Sequence, residues 1–352
     1  MPRLIAFTRY GRLGASSRVR FLQFQAHLEQ AGMQVHVSPL LSDRYLEILY
    51  TQKKRSWLEM VRGYFLRCVD IFRIPFYDYI WIEKELFPGL PATVERLLHL
   101  GGFRYVVDYD DAIFHNYDLA SNPLYRYLMG EKIAVVMRSA GTVVAGNPYI
   151  AEYARRARSG CVKIIPSVVD TNQYGIATRP NGLLPVIGWI GSPSTAPYLL
   201  QIAPALREAN QKIPFELVVI GAQIELEGLS VRCKAWSEAT EIQEIQQFDI
   251  GIMPLPDDPW ARGKCGYKLI QYMACGVAVI GSPVGVNREI VSAAVGFAPE
   301  SSEAWQDALL SLLADAGLRL SIGIQGRLRV EMFYSMQSAA SEFCELIPRP
   351  CT

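Results

Sequence analysis

Short apolar runs alternate with longer stretches of helical period along almost the whole chain, a pattern that restricts it to an α/β fold built on parallel sheets. The first half offers strands at Arg3–Thr8, Gln34–Ser38, Tyr79–Glu83, Arg104–Asp108, Thr142–Ala145 and Val162–Pro166, with helices such as Ser16–Ala31, Ser56–Phe72 and Pro123–Ser139 between them. The second half repeats the alternation at Pro185–Ile190, Phe215–Ile220, Val231–Ala235, Asp249–Met253, Val277–Gly281 and Val295–Ala298, then ends in helices that reach Met336–Ile347. Each half reads as a doubly wound domain. The length of 352 residues agrees, because single cores stop growing at about 250–300 residues. Between the halves, Thr171–Leu184 is rich in Gly, Pro and Asn and lacks apolar periodicity, as an interdomain linker does. In domains of this kind ligands bind beyond the carboxyl ends of the strands, so the loops there are the candidate site.

Composition excludes several classes. With hydrophobic residues at 50% the chain can bury large cores, and a net charge of +1 marks no nucleic-acid partner. No apolar run approaches the roughly 20 residues that cross a bilayer, and the N-terminus enters a strand without a signal-peptide pattern. The seven cysteines are scattered, with no C-x-x-C pair, which fits reduced thiols in a cytoplasmic protein and no structural zinc.

The first strand runs into Thr8-Arg9-Tyr10-Gly11-Arg12-Leu13-Gly14-Ala15-Ser16-Ser17-Arg18, where small residues let a ligand approach free amides and a helix N-terminus. This is not G-x-G-x-x-G, so a nicotinamide dinucleotide is a poor candidate; a plain tight turn is the competing reading. The second half opens alike, with Gly188-Trp189-Ile190-Gly191-Ser192-Pro193-Ser194-Thr195, where Ser192 or Thr195 either caps a helix or meets a phosphate. Residues 249–291 carry the most information. After a strand and a Pro-rich loop come Gly263-Lys264-Cys265-Gly266-Tyr267-Lys268, a helix ending at Ala274-Cys275-Gly276 with Gly276 at C′, a buried strand, and Ser282-Pro283-Val284-Gly285-Val286-Asn287. Two lysines and several open amides suit a diphosphate, and Gln271, Asn287 and Glu289 suit sugar hydroxyls.

This stretch resembles the donor-binding region of retaining GT-B glycosyltransferases, specifically family 4, in which E-x7-E precedes a helix ending A-x-G-x-P-V. Gln271-Tyr272-Met273-Ala274-Cys275-Gly276-Val277-Ala278-Val279 matches its second half, and Ser17-Arg18-Val19-Arg20 after the first glycine-rich loop agrees. The alignment puts Gly263 and Gln271 where the family has its two glutamates, so Gly263 brings no side chain to a donor sugar.

The resemblance implies two Rossmann-like doubly wound domains facing across a cleft: an acceptor domain at 1–172, a linker at 173–184, a nucleotide-sugar domain at 185–330, and a final helix at 331–352 packing back on the first domain. It further implies transfer of a sugar from a nucleotide-diphosphate-sugar to a glycan or lipid-linked saccharide, with retention, in bacterial surface polysaccharide assembly. In that reading Gly14, Arg18, Gly191, Ser192, Lys264, Lys268, Gln271, Val286, Asn287 and Glu289 bind the donor, and no metal or other cofactor is expected. Asp110, Asp111 and His115, in the loop Asp108-Tyr109-Asp110-Asp111-Ala112-Ile113-Phe114-His115, orient the acceptor hydroxyl or hold donor-sugar hydroxyls. The competing reading has Asp110 or Asp111 capping the next turn. Glu83 and Glu85 either line the same site or form a solvated turn. A nucleotide-sugar 2-epimerase and a nucleotide-sugar-binding domain without catalysis are the alternatives on the same fold.

Residues 53–73 join Lys53, Lys54, Arg55, Arg62, Arg67 and Arg73 to Trp57, Met60, Val61, Tyr64, Phe65, Leu66, Val69 and Phe72. Such a segment suits an anionic membrane surface, with the protein peripheral at the inner face of the cell membrane. A core helix with snorkelling arginines is the other reading.

Overall fold

The computed structural model describes residues 1–52, 54–176 and 184–346. It divides into two compact units, Met1–Ser167 with the chain from Ala340 on, and Val168–Ala339. Most of the expected linker, residues 177–183, and the chain end at 347–352 lie outside the described residues.

The first unit holds six parallel strands, β1 (Arg3–Tyr10), β2 (Gln34–Leu41), β3 (Tyr79–Glu83), β4 (Val106–Tyr109), β5 (Thr142–Ala145) and β6 (Val162–Ile164), in the order β2-β1-β3-β4-β5-β6. The second holds β7 (Val186–Ile190), β8 (Glu216–Ile220), β9 (Val231–Lys234), β10 (Ile250–Met253), β11 (Ala278–Gly281) and β12 (Gly296–Phe297), in the order β12-β11-β10-β7-β8-β9. Every pairing is parallel. The apolar runs behave as strands covered on both faces do. Leu4, Ile5, Ala6 and Phe7 of β1 are all buried, and alternate residues of β7 and β8 feed two separate cores, Ile187, Trp189, Leu217 and Val219 on one face and Val186, Ile190, Val218 and Ile220 on the other. Chain direction across the sheet reverses between β1 and β3 in the first unit and between β7 and β10 in the second. Crevices open at such switch points, beside the carboxyl ends of those strands.

Two helices differ from expectation. The stretch Ser16–Ala31 is helical but carries a π-helical turn at Arg18–Leu22, which turns Arg18, Val19, Arg20 and Phe21 all inward. Pro123–Ser139 breaks into Pro123–Met129 and Lys132–Ser139 at Gly130, which closes the first piece. In the first unit Phe343 of the last helix, Met336–Leu346, packs against Phe24 and Trp81, with ring centroids 4.1 and 5.6 Å away. Among the described residues no helix is long and apolar enough to cross a membrane, and Cys68, Cys161, Cys233, Cys265 and Cys275 form no disulfide.

Candidate functional site

At the switch point of the first unit, charged side chains are packed together at the ends of three strands. The chain leaves β3 through Glu83-Lys84-Glu85, and all three are buried. A continuing strand would send them to alternate faces. Instead Lys84 adopts φ 66°, and the Glu85 amide donates to the Glu83 carbonyl at 2.7 Å, closing a three-residue γ-turn. This conformation is strained for a residue with a Cβ, and it gathers three consecutive charges in one place. The reading of Glu83 and Glu85 as a solvated turn is thereby overturned.

Each charge then has a defined setting. The Lys84 ammonium lies 2.8 Å from Asp110 and donates to Ser16 Oγ at 3.2 Å. Burial disfavours the ionised form of Asp110, but Lys84 outweighs it and holds the carboxyl well below the usual carboxylate range. Asp110 therefore belongs to a buried ion pair, which is more than the turn cap that its position allowed. Glu83 accepts from Ser17 Oγ at 2.6 Å and from the Arg9 amide at 2.7 Å, while its Oε1 is buried without a partner. Its pKa is raised, chiefly by burial, against the opposing effect of Lys84. Glu85 pairs with Lys132 and accepts from the Tyr117 hydroxyl. Asp108, at the end of β4, takes a two-pronged contact from Arg20 at 2.8 and 3.0 Å, and the same guanidinium reaches the carbonyls of Ile165 and Pro166. Burial pushes Asp108 up to about 6 in spite of Arg20, which leaves it ionised at neutral pH.

The other expected residues of this unit are placed less openly. His115 has both ring nitrogens engaged, Nδ1 with Asp118 at 2.9 Å and Nε2 with the Tyr149 hydroxyl at 2.8 Å, so it is not aimed at an acceptor. Asp111 is half-buried in the same loop. Arg18 is buried in the π turn, with Nη1 donating to the Arg12 carbonyl at 3.2 Å. The Gly14 amide bonds to the Gly11 carbonyl, so it does not await a ligand. A Cβ at Gly14 would come within 2.3 Å of Tyr10 Cβ, and that packing requires the glycine.

In the second unit the loops after β7, β8 and β10 converge. The Gly191 amide is taken by the Ile220 carbonyl at 3.0 Å, which removes it too as a ligand donor. Gly191 matters through closeness: a Cβ there would lie 2.6 Å from the Trp189 ring and 2.8 Å from Lys268 Cε. Lys268 is half-buried with Nζ 5.4 Å from the Trp189 ring centroid, and Lys264 Nζ lies 5.3 Å from that of Trp260. Gly266, at φ 65°, caps the helix Tyr267–Ala274, whose N-terminal turn carries Lys268. Gly276 takes the expected left-handed C′ conformation at φ 70°. Ser192 is exposed, its Oγ 2.8 Å from Ser194 Oγ. Thr195 donates to the Ser192 carbonyl and caps no helix with its side chain.

Three of the expected donor contacts are corrected. Gln271 is buried and donates to the Tyr174 hydroxyl at 3.0 Å and to Glu241 at 3.5 Å, and Glu241 also accepts from Trp236 Nε1 at 2.7 Å. Tyr174 is brought there by Arg327, which holds the carbonyls of Thr171 and Tyr174. Asn287 is wholly buried and donates to the Ser282 carbonyl, and Val286 is buried beside it. Neither offers a side chain to sugar hydroxyls, whereas Glu289 is exposed. Residues that the sequence did not single out include Lys84, Tyr174, Trp236 and Glu241. Lys84 had a signal, since three charges in a row directly follow an apolar strand. Among the described residues no group of three or more His, Cys, Asp or Glu is arranged to hold a metal ion.

Residues 184–315 match the family model described as Glycosyl transferases group 1. No curated protein matches the chain. Solved structures do: the sucrose-phosphate synthase (tll1590) of Thermosynechococcus elongatus, at 16% identity and TM-score 0.70 over 99% of this chain and 98% of that one; Anabaena Alr3699/HepE in complex with UDP-glucose, at 15% and 0.67 over 99% of each; and WaaG, a glycosyltransferase involved in lipopolysaccharide biosynthesis, at 14% and 0.67 over 97% and 99%. At these identities the likeness is one of fold, the GT-B architecture.

Proposed function

We propose that this chain, a GT-B glycosyltransferase with its Glycosyl transferases group 1 domain at residues 184–315, moves a sugar from a nucleotide-diphosphate-sugar to a glycan or lipid-linked saccharide. The observation that carries the donor reading is the pair Lys264 and Lys268 beside the N-terminus of the Tyr267–Ala274 helix, at the switch point of the matched domain. That is the setting a departing diphosphate requires. The HepE structures holding UDP and UDP-glucose support the same donor class. Transfer proceeds with retention by front-face attack: the acceptor oxygen forms its bond to the anomeric carbon, the bond to the diphosphate breaks, and the diphosphate takes the acceptor proton. The protein's work is then electrostatic, with Lys264 and Lys268 neutralising the leaving group without a resident metal. Asp110, fixed by Lys84, orients the acceptor hydroxyl. The setting is bacterial surface polysaccharide assembly in the cytoplasm, at the inner face of the membrane, a reading supported by the likeness to WaaG.

Thermal melting with UDP, GDP, dTDP, ADP and CDP tests the donor site. A ligand at about 100 times its Kd adds roughly 2.7 kcal/mol of stability, so one nucleotide should raise Tm well above the rest. A panel in which none raises Tm would overturn the donor assignment.

A further inference from the structure

The helix Trp57–Ile71 buries charged side chains and exposes much of its apolar surface. Its inward face carries Glu59, Gly63 and Arg67. Gly63 lies so close to the end of β2 that a Cβ would sit 1.9 Å from the Leu40 carbonyl oxygen. Arg67, stacked 5.0 Å over the Phe7 ring, donates to the carbonyls of Thr8, Ser38 and Leu86. Glu59 accepts from Ser42 and faces Arg44. Met60 and Tyr64 pack inward against Leu40, Leu41, Tyr45 and Leu46, but most other apolar side chains point out: Trp57, Leu58, Phe65 and, just beyond the helix, Phe72 and Phe76 are 75, 74, 67, 81 and 70% exposed, with Val61, Leu66 and Val69 between them. Leu58, Val61, Phe65, Val69 and Phe72 recur at helical spacing, so they form one stripe. Isolated exposed apolar residues are ordinary, but a contiguous apolar stripe marks an interaction surface.

The charge around the stripe selects the occupant. Lys54, Arg55 and Arg62 are exposed, and Arg73 is exposed beside its partner Asp70. Of the acids in the helix, Glu59 is buried and Asp70 is held by Arg73, so the outward face is basic. A second copy docking this face on itself would set Arg55 and Arg62 against their own counterparts, which like-charge repulsion opposes. An anionic bilayer satisfies both features at once: headgroups meet the basic rim, and Trp57, Phe65 and Phe72 enter the acyl boundary to the ~5–10 Å typical of interfacial helices.

We infer that the outward face of Trp57–Ile71 docks the first unit on an anionic membrane. This deepens the proposed function, because it rests on an acceptor that carries a lipid, and its test involves no transfer.

The full chain is sedimented with vesicles of phosphatidylcholine alone and of phosphatidylcholine with phosphatidylglycerol. Binding is expected to the anionic vesicles, weakening with salt, and the variant Phe65→Ser/Phe72→Ser should lower the partition by about tenfold or more. Arg55→Glu/Arg62→Glu should weaken binding to anionic vesicles alone. Both pairs are exposed, so melting unchanged from wild type confirms that the variants fold. Equal partition of wild type and the serine variant, or no binding to either vesicle, overturns the inference. So does a wild-type dimer in sedimentation velocity that the serine variant dissolves without any vesicle binding, since the stripe would then be a self-interface. The nucleotide melting panel run on the same preparations separates failures: vesicle binding with a flat panel sinks the donor site and leaves the docking face standing.

Discussion

Replacing Lys84 by methionine removes an ammonium 2.8 Å from the Asp110 carboxylate while keeping most of the apolar stem, and both side chains are nearly enclosed, at 6 and 14% exposed. The substitution leaves a buried carboxylate without its cation. Breaking such a pair from one side costs about 3–5 kcal/mol, because the remaining charge keeps its desolvation penalty. The γ-turn strain at φ 66° is unchanged, since methionine also has a Cβ, so the loss is electrostatic. At about 2–4 °C per kcal/mol for a unit of this size, Tm should fall by roughly 6–20 °C.

The sign of the pH dependence separates this account from a packing defect. In the wild type the Asp110 carboxyl lies below its ordinary value, so its contribution is present above about pH 4 and is lost as pH falls below it. Without Lys84, burial is opposed only by the Ser16 hydrogen bond and the charge of Arg20, both smaller influences than the lost ammonium, and the pKa should rise above the ordinary value. The contribution then reverses and stability is lost as pH rises through the raised pKa. Glu83, already raised by burial, loses an opposing cation and shifts the same way. The difference between variant and wild type should therefore be largest at neutral pH and shrink toward about pH 4. Adding Asp110→Asn removes the orphaned charge and should restore part of the loss. Hydrogen exchange at the β3 and β4 amides reads the first unit alone. A penalty under about 1 kcal/mol, flat between neutral and acid pH, with no coupling in the double variant, would refute the ion-pair argument.

Two further substitutions address the second unit. Lys268→Ala should raise the Kd for the stabilising nucleoside diphosphate by about ten- to a hundredfold, as expected for a charge-assisted contact, measured by titration calorimetry; an unchanged Kd removes Lys268 from the site. Gly191→Ala places a methyl group 2.6 Å from the Trp189 ring and 2.8 Å from Lys268 Cε, so it should lower stability by about 1–3 kcal/mol and weaken nucleotide binding together. Loss of stability with full nucleotide affinity would show that the loop supports the core alone.

How much of this was legible in the sequence depends on the range of the interactions concerned. The strands were read to within a residue or two at most ends because parallel strands covered on both faces must be apolar throughout, and Gly276 was readable because helix ends obey local rules. What the sequence withheld was set by distant partners. Arg20 meets Asp108 across 88 positions, and Gln271 meets Tyr174 across 97, so a glutamine in a donor motif gave no sign of facing inward. The segment at 53–73 was legible as amphipathic, but not which side faces the protein. Carbonyls from β1, β2 and the turn after β3 decide that by claiming Arg67. The γ-turn at Lys84 follows from the same cause: only the assembled strand ends make three buried charges tolerable.

The buried pairs also limit what chemistry the first unit can perform. Asp108 is committed to Arg20, Glu85 to Lys132 and Asp110 to Lys84, and both nitrogens of His115 are engaged. A carboxylate held below its ordinary range by a cation is a weak Brønsted base, so Asp110 is poorly suited to take the acceptor proton. The proposed front-face transfer would not ask this of it, since the departing diphosphate would take that proton. In that proposal Asp110 would offer a fixed acceptor lone pair for a substrate hydroxyl. Asp110→Asn keeps an oxygen there but loses the charge assistance, and should lower kcat by about tenfold to a hundredfold, within the range of one charged hydrogen bond, with donor Kd unchanged. A true general base would cost up to about 10⁴-fold and carry an acidic limb in the pH profile that the variant abolishes. Seeing that limb disappear with a loss beyond about a thousandfold would assign Asp110 the role of base and count against the diphosphate as proton acceptor.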